Sequence, residues 1–372
     1  MKKVWGGAFL LLCSISAHAQ SVTLYGIVDT GIEYLTHADA AGDKLITMPG
    51  TTGMLPSRWG LRGEEPLGGG MKAIFRLESG FNLRDGTLGQ GGREFGRQSY
   101  VGLSSEYGTV TLGRQNSMTY WAFFDTDVFG PAIYSIGSLD AYLAGARVDN
   151  SIAYRGEFGG FTLGATYSFG RDAVATPATG GCAGNVPGEY SQCKQWSAML
   201  KYDSTLFGVA SSYEQMRGGT SSTVSFYDGF PTVPVVSGGA TDSRYQVNGY
   251  FYVKGIKITA GWLGRDVNAD KPGVSDVRSN IFFTGFSVPI RPDIVFDAAV
   301  YRIVVKEQDA RATLGVVRGT YLLSKRTSLY STVGYLGNSA KAHFSVSSAA
   351  GATNPAAGVG QLGAMVGMTH RF

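Results

Sequence analysis

Charge is scarce in this chain. Of its 372 residues only 16% are Asp, Glu, Lys or Arg, and the mean hydropathy is zero, a balance unlike that of an ordinary soluble enzyme, about a quarter of which is charged. Histidine is scarcer, with four residues. Nucleophilic catalysis needs a base and an orienting partner within hydrogen-bond reach. His37 falls in a loop, His343 in the last loop and His370 on the apolar parity of the final segment, so no neighbouring strand gives any of them a serine. No phosphate loop, dinucleotide fingerprint or zinc-spaced His/Cys cluster occurs. The chain is therefore expected to be no enzyme and to carry no cofactor and no metal. Beyond position 19 there is also no apolar run near the ~20 residues that a spanning helix needs. A collagen would show a three-residue glycine period, and a disordered chain would lack the 44% hydrophobic content. What is plentiful is glycine, at 54 residues, with 20 Tyr and 20 Phe. Glycine and aromatics enriched together point to an all-β protein.

The first 19 residues have a leader's pattern: Lys2 and Lys3, the apolar stretch Val4 to Ile15, then Ala17-His18-Ala19 as a small-x-small cleavage site. Leu12 before Cys13 argues against a lipoprotein signal. The expected organisation is a signal peptide over 1–19, cleaved after Ala19, and one domain over 20–372. Loss of both lysines brings the formal charge from +4 to +2, so nucleic acid is not an expected partner. Two cysteines remain, Cys182 and Cys193, in a Gly/Pro-rich stretch. In an oxidising compartment they suggest a loop disulfide. No histidine stands beside them to complete a zinc shell.

Alternation of period two runs along the chain. Phe161, Leu163, Ala165, Tyr167 and Phe169 alternate with Thr162, Gly164, Thr166 and Ser168, and the segments 244–253, 256–262 and 361–372 do the same. A soluble sandwich would alternate too. The connections separate the cases. Seven tight turns, at 65–70, 104–108, 157–160, 204–206, 254–255, 289–293 and 324–326, take turns with eight longer loops, at about 37–56, 83–96, 116–148, 170–194, 217–242, 266–277, 305–310 and 337–359. These join sixteen strands with both ends on the short-turn side, the pattern of an up-and-down outer-membrane barrel. Hydrocarbon satisfies no backbone polar group, so such a sheet must close. One segment fits poorly: in 294–305, Asp297 and Arg302 have opposite parity, so one faces outward unless a bulge intervenes.

Ser21-Val22-Thr23-Leu24-Tyr25-Gly26, Ser57-Arg58-Trp59-Gly60-Leu61-Arg62-Gly63, Gly102-Leu103, Gly108-Thr109-Val110-Thr111-Leu112-Gly113-Arg114-Gln115 and the terminal Phe372 together resemble the trimeric general porins of Gram-negative outer membranes, of the betaproteobacterial type. The resemblance spans the chain after the leader. It implies a 16-stranded antiparallel transmembrane β-barrel whose third long loop, about 116–148, folds into the lumen opposite a ladder of wall arginines. It also implies a homotrimer in the outer membrane, in contact with lipid and lipopolysaccharide, passing small hydrophilic solutes and ions. Phe372 would be read by the barrel-assembly machinery.

Parity carries the expected roles onto residues. With Trp59 and Leu61 facing lipid, Arg58 and Arg62 face the lumen. With Ala73, Phe75 and Leu77 outward, Arg76 faces in. Arg97, opposite in parity to Tyr100, and Arg147, opposite to Ile152 and Tyr154, are also expected inside. The long loop carries Asp125, Asp127 and Asp140 among Trp121, Phe123, Phe124 and Phe129. A basic wall against an acidic loop would set a transverse field across the slot, with a modest anion preference. Arg114 shares the outward parity of Val110 and Leu112, the trimer contact of related porins, and is expected to pair with Asp85 or Glu94 of a neighbour. The rival functions are a substrate-specific channel with an aromatic track, such as Tyr250 and Tyr252, and a surface adhesin working through its long loops.

Overall fold

A strand buries one face if its apolar residues recur at every second position, and a sheet surrounded by hydrocarbon must leave no unpaired edge. The computed structural model meets both conditions. It describes residues 21–372 apart from 51, 173–180, 183, 185, 225–231 and 349–352; the expected leader, 1–19, lies outside the described residues. Among these, sixteen strands form one antiparallel meander: β1 (Ser21–Leu35), β2 (Arg58–Gly68), β3 (Met71–Gly80), β4 (Gln98–Ser105), β5 (Gly108–Asn116), β6 (Arg147–Phe158), β7 (Phe161–Ser168), β8 (Gln195–Asp203), β9 (Phe207–Arg217), β10 (Thr241–Val253), β11 (Ile256–Asn268), β12 (Val277–Arg291), β13 (Ile294–Val305), β14 (Ala310–Leu322), β15 (Thr327–Asn338) and β16 (Gln361–Arg371). Each pairs with its neighbours in sequence, and β16 returns to β1 in the register Ile27↔Arg371 to Leu35↔Gly363. Phe372 completes the seam: its N–H donates to Gly26 O at 3.1 Å, and Gly26 N–H donates to its carbonyl at 3.0 Å.

Turns and loops fall on opposite rims, as expected. Seven connections of two to four residues close one rim. The Lys254-Gly255 turn has positive φ at both residues, +50° and +81°, the geometry that a two-residue hairpin needs to match strand twist. The seventh loop, 306–309, is no longer than a turn, so alternation marks which rim a connection belongs to rather than its length.

The outer face is apolar. Leu24, Val101, Leu103, Leu112, Leu200, Val247, Phe282, Val300 and Val366 are all exposed. Two aromatic girdles bound this band, as a membrane barrel requires. Phe161, Tyr202 and Phe207 touch near the turn rim, with centroids 4.8 and 5.8 Å apart. Trp196–Tyr213 and Tyr245–Trp262 lie toward the loop rim, at 5.0 and 5.4 Å. Glycine and aromatics are coupled locally. A Cβ at Gly63, Gly261 or Gly264 would stand 2.3, 2.4 and 2.0 Å from the rings of Phe75, Phe283 and Tyr245, their cross-strand partners. The ring folds over the bare backbone opposite, which shields that strand on either face of the wall.

Strand β13 settles the parity conflict without a bulge. Its register with β14 is unbroken from Ile294 to Val305. Asp297 is inside, 2.8 Å from Arg318, while Arg302 is exposed on the outside and donates to Thr313 Oγ1 at 2.9 Å.

Candidate functional site

The connection between β5 and β6 is the longest in the chain and folds into the barrel. It opens with the short helix α1 (Met118–Phe123) and continues through two single turns, Ile136–Ser138 and Leu143–Gly145. Five of its large apolar side chains are dry, Phe123, Phe129, Ile133, Ile136 and Leu139 being each 3% exposed or less, while Phe124 is exposed. They join one cluster with Leu263, Ile281, Phe283, Tyr301, Ile303, Leu314 and Val316 of β11–β14. Phe123 meets Phe283 edge-on at 5.7 Å. At about 1.5–3 kcal/mol for each large side chain kept from water, the hydrophobic effect holds this loop against one wall of a wet pore. Hydrogen bonds tie it to other loops: Ile133 N–H donates to Gly53 O at 2.9 Å, and Ser138 Oγ donates to Val346 O at 2.6 Å.

The three loop aspartates meet side chains of β8, β10, β11 and β13. Asp125 pairs with Lys201, which also holds Asp203 at 3.0 Å, and Lys257 Nζ donates to the Asp125 carbonyl at 2.6 Å. Asp127 is buried and accepts from the Tyr301 hydroxyl and, at 3.0 Å, from Phe129 N–H. Burial pushes its carboxyl up to about 6. Asp140 lies 3.3 Å from Arg244 and 3.9 Å from Arg265, and those two arginines share Asp242 at 3.2 and 2.7 Å. The expected acidic face of the slot is therefore compensated locally: two lysines meet two aspartates, two arginines meet two more, and the third loop aspartate is hydrogen-bonded out of water.

The facing wall, β2–β6, is basic. Glu78 accepts from Arg97 Nε at 2.7 Å and from the Tyr25 hydroxyl at 2.8 Å, and stands 3.8 Å from Arg58 Nε. Arg62 and Arg76 lie over the Tyr25 ring at 5.7 and 5.3 Å. Arg147 opens β6, with Arg97 and Arg114 among its charged neighbours. Among the described residues Arg62, Arg76 and Arg147 form no ion pair. The expected arginines thus gather, two of them by a different route from parity. Tyr100 pairs with Arg76 and faces in, so strict alternation would send Arg97 outward. Arg97 precedes β4 in a bend and turns back to Glu78. A bulge adds a residue to β6 between Val148 and Ser151, so parity counted from Ile152 does not reach Arg147.

Arg114 meets an acid of its own chain. Its outward parity ends at the same bulge, and its guanidinium pairs with Asp149 of its own chain and donates to Gly96 O at 2.7 Å. Within the same chain Asp85 is bonded to Arg84 and Thr87, and Glu94 is exposed. Cys182 and Cys193 are disulfide-bonded, with Cα atoms 5.1 Å apart. The Phe372 ring covers Gly26.

A closed barrel with an inward loop is shared by several channel types, so sequence kinship decides the family. The Gram-negative porin family model matches residues 7–341. The chain belongs to that family. The porin is 32% identical to outer membrane porin protein 32 of Delftia acidovorans, over 100% of both chains, and 31% identical to an outer membrane porin protein of Bordetella pertussis, over 98% of both. Its fold is similar to that of an anion-selective porin from Comamonas acidovorans, with a TM-score of 0.78 and 28% identity over 95% of this chain and 100% of that one. It is thus an outer-membrane diffusion channel.

Sequence reasoning missed the anchors of this porin's loop. Lys201, Arg244 and Arg265 lie on strands, with nothing local to distinguish them from solvated lumen charges. Glu78 shares the inward parity of Arg76, but nothing in the sequence marks it as the hub of the arginines. The apolar inner wall did leave a signal: Val300, Tyr301, Ile303, Val304 and Val305 in β13 are apolar on both parities. A strand buried on both faces reads that way.

Proposed function

We propose that the porin passes small hydrophilic solutes and ions with a preference for anions, set by Arg58, Arg97 and Arg147 and supported by Arg62 and Arg76. One observation carries this reading: these five arginines line one wall with Glu78 as the carboxylate paired among them, while Asp125, Asp127 and Asp140 are compensated on the other side. The anion selectivity of the Comamonas acidovorans porin supports it. In a narrow slot these charges escape much of the screening of bulk electrolyte, whose Debye length is about 10 Å at 0.1 M. The protein works as a channel and not as an enzyme, assembles as a homotrimer through the outward patch around Val101, Leu103, Val110 and Leu112, and sits in lipid and lipopolysaccharide. Residues 1–19 export it, and Phe372 presents the closing strand to the barrel-assembly machinery. The test is the zero-current potential across a planar bilayer under a potassium chloride gradient. An anion sign is expected, moving toward zero in an Arg58→Gln, Arg147→Gln double variant; a cation sign refutes the reading.

A further inference from the structure

Beside α1 the lumen holds a second feature. A cavity of about 190 Å³ is bounded by β3–β6 and by the helix. Arg76 and Arg155 reach it from different strands, with Gln98 and Tyr100 between them and Ile74 and Trp121 supplying apolar wall. Among the described residues the Arg155 guanidinium has no carboxylate or hydrogen-bond partner, and it lies over the Trp121 ring at 4.4 Å. Arg76 donates to Gln98 Oε1 at 3.5 Å. Two guanidiniums without carboxylates and an indole therefore border one small hollow.

We propose that this hollow is a capture site for small organic anions with a flat apolar body, of the monocyclic aromatic carboxylate class. The planar guanidinium fork fits a carboxylate in a bidentate way, as a chloride ion is not fitted. The Trp121 face and the Ile74 side chain accept the ring, and Gln98 and Tyr100 offer further hydrogen bonds at its edge. The volume falls below the ~300 Å³ of drug-sized pockets, which limits the ligand to one ring. Because a channel must release what it binds, occupancy is brief and half-saturation falls in the millimolar range. The inference rests on the lumen being an anion pathway and adds a substrate class to it.

Benzoate is the probe. Chloride current through single reconstituted channels is recorded while benzoate or acetate is added. Benzoate is expected to reduce the current saturably, and acetate at equal concentration to leave it unchanged. Trp121→Leu and Arg155→Gln should each raise the half-blocking benzoate concentration by about fivefold, the worth of one exposed cation–π contact. Arg58→Gln should lower the chloride preference while the benzoate block persists. Arg155→Gln, on a strand, carries the test if Trp121→Leu fails to yield the heat-modifiable folded barrel. A wild-type channel with anion preference but no saturable benzoate block, or a block that acetate equals or that both substitutions leave intact, overturns the inference alone. Absence of anion preference overturns the proposed function itself.

Discussion

Glu78 sits between Arg58 and Arg97 with its side chain 4% exposed, so replacing it acts on charge and stability together. Glu78→Gln leaves two arginines without a carboxylate. Anion over cation permeability should rise, and the barrel should lose about 3 kcal/mol, the scale of a broken buried pair, read as a lower midpoint of heat denaturation. Asp127 gives a pH signature of its own. Burial raises its carboxyl to about 6 in the folded loop, against an unfolded value near 4. The folded state therefore holds the proton more tightly. The associated stability is fully present below about pH 4 and is lost as pH rises through 6. At about 1.4 kcal/mol per pKa unit, the loss amounts to roughly 2–3 kcal/mol between pH 4 and 7, and Asp127→Asn should flatten it. Equal slopes in wild type and variant across that window would contradict the assignment. At this scale parity was legible only inside regular strands: it placed Arg58 and Arg76 but met a bend at Arg97 and a bulge beside Arg114 and Arg147.

Strands were the most readable elements, because a wall with lipid on one side and lumen on the other imposes alternation wherever neither face is otherwise covered. Where the constriction loop lies on β11–β14, both faces are apolar and the alternation fades, as in β13. The loop itself was legible in its length and its aromatics. Its direction of lean was not, since that depends on cations roughly 75 to 125 positions later, such as Lys201, Arg244 and Arg265. Asp140→Ala removes one of the two aspartates that the buried Arg244 and Arg265 share. The loop should detach more often from its wall. Single-channel recordings are expected to show added flicker and a different mean conductance, with the barrel still folded; recordings identical to wild type would show that the apolar cluster holds the loop unaided.

For the whole molecule, the distribution of charge rather than its amount decides function. Charge lies in the lumen and at the turns and loops; within the lumen it is positive along β2–β6 and compensated where the loop is pinned. Arg62, Arg76 and Arg147, each felt at roughly 8 Å through water at some 0.5 kcal/mol, attract chloride and repel potassium equally, a difference of about 3 kcal/mol that screening at 0.1 M cuts to about half, which favours chloride by about tenfold. The measurement that addresses this most directly is the zero-current potential of the wild-type channel in a planar bilayer with a potassium chloride gradient. The charge arrangement predicts an anion sign and a permeability ratio near ten. A potential of zero, or one of cation sign, would contradict it.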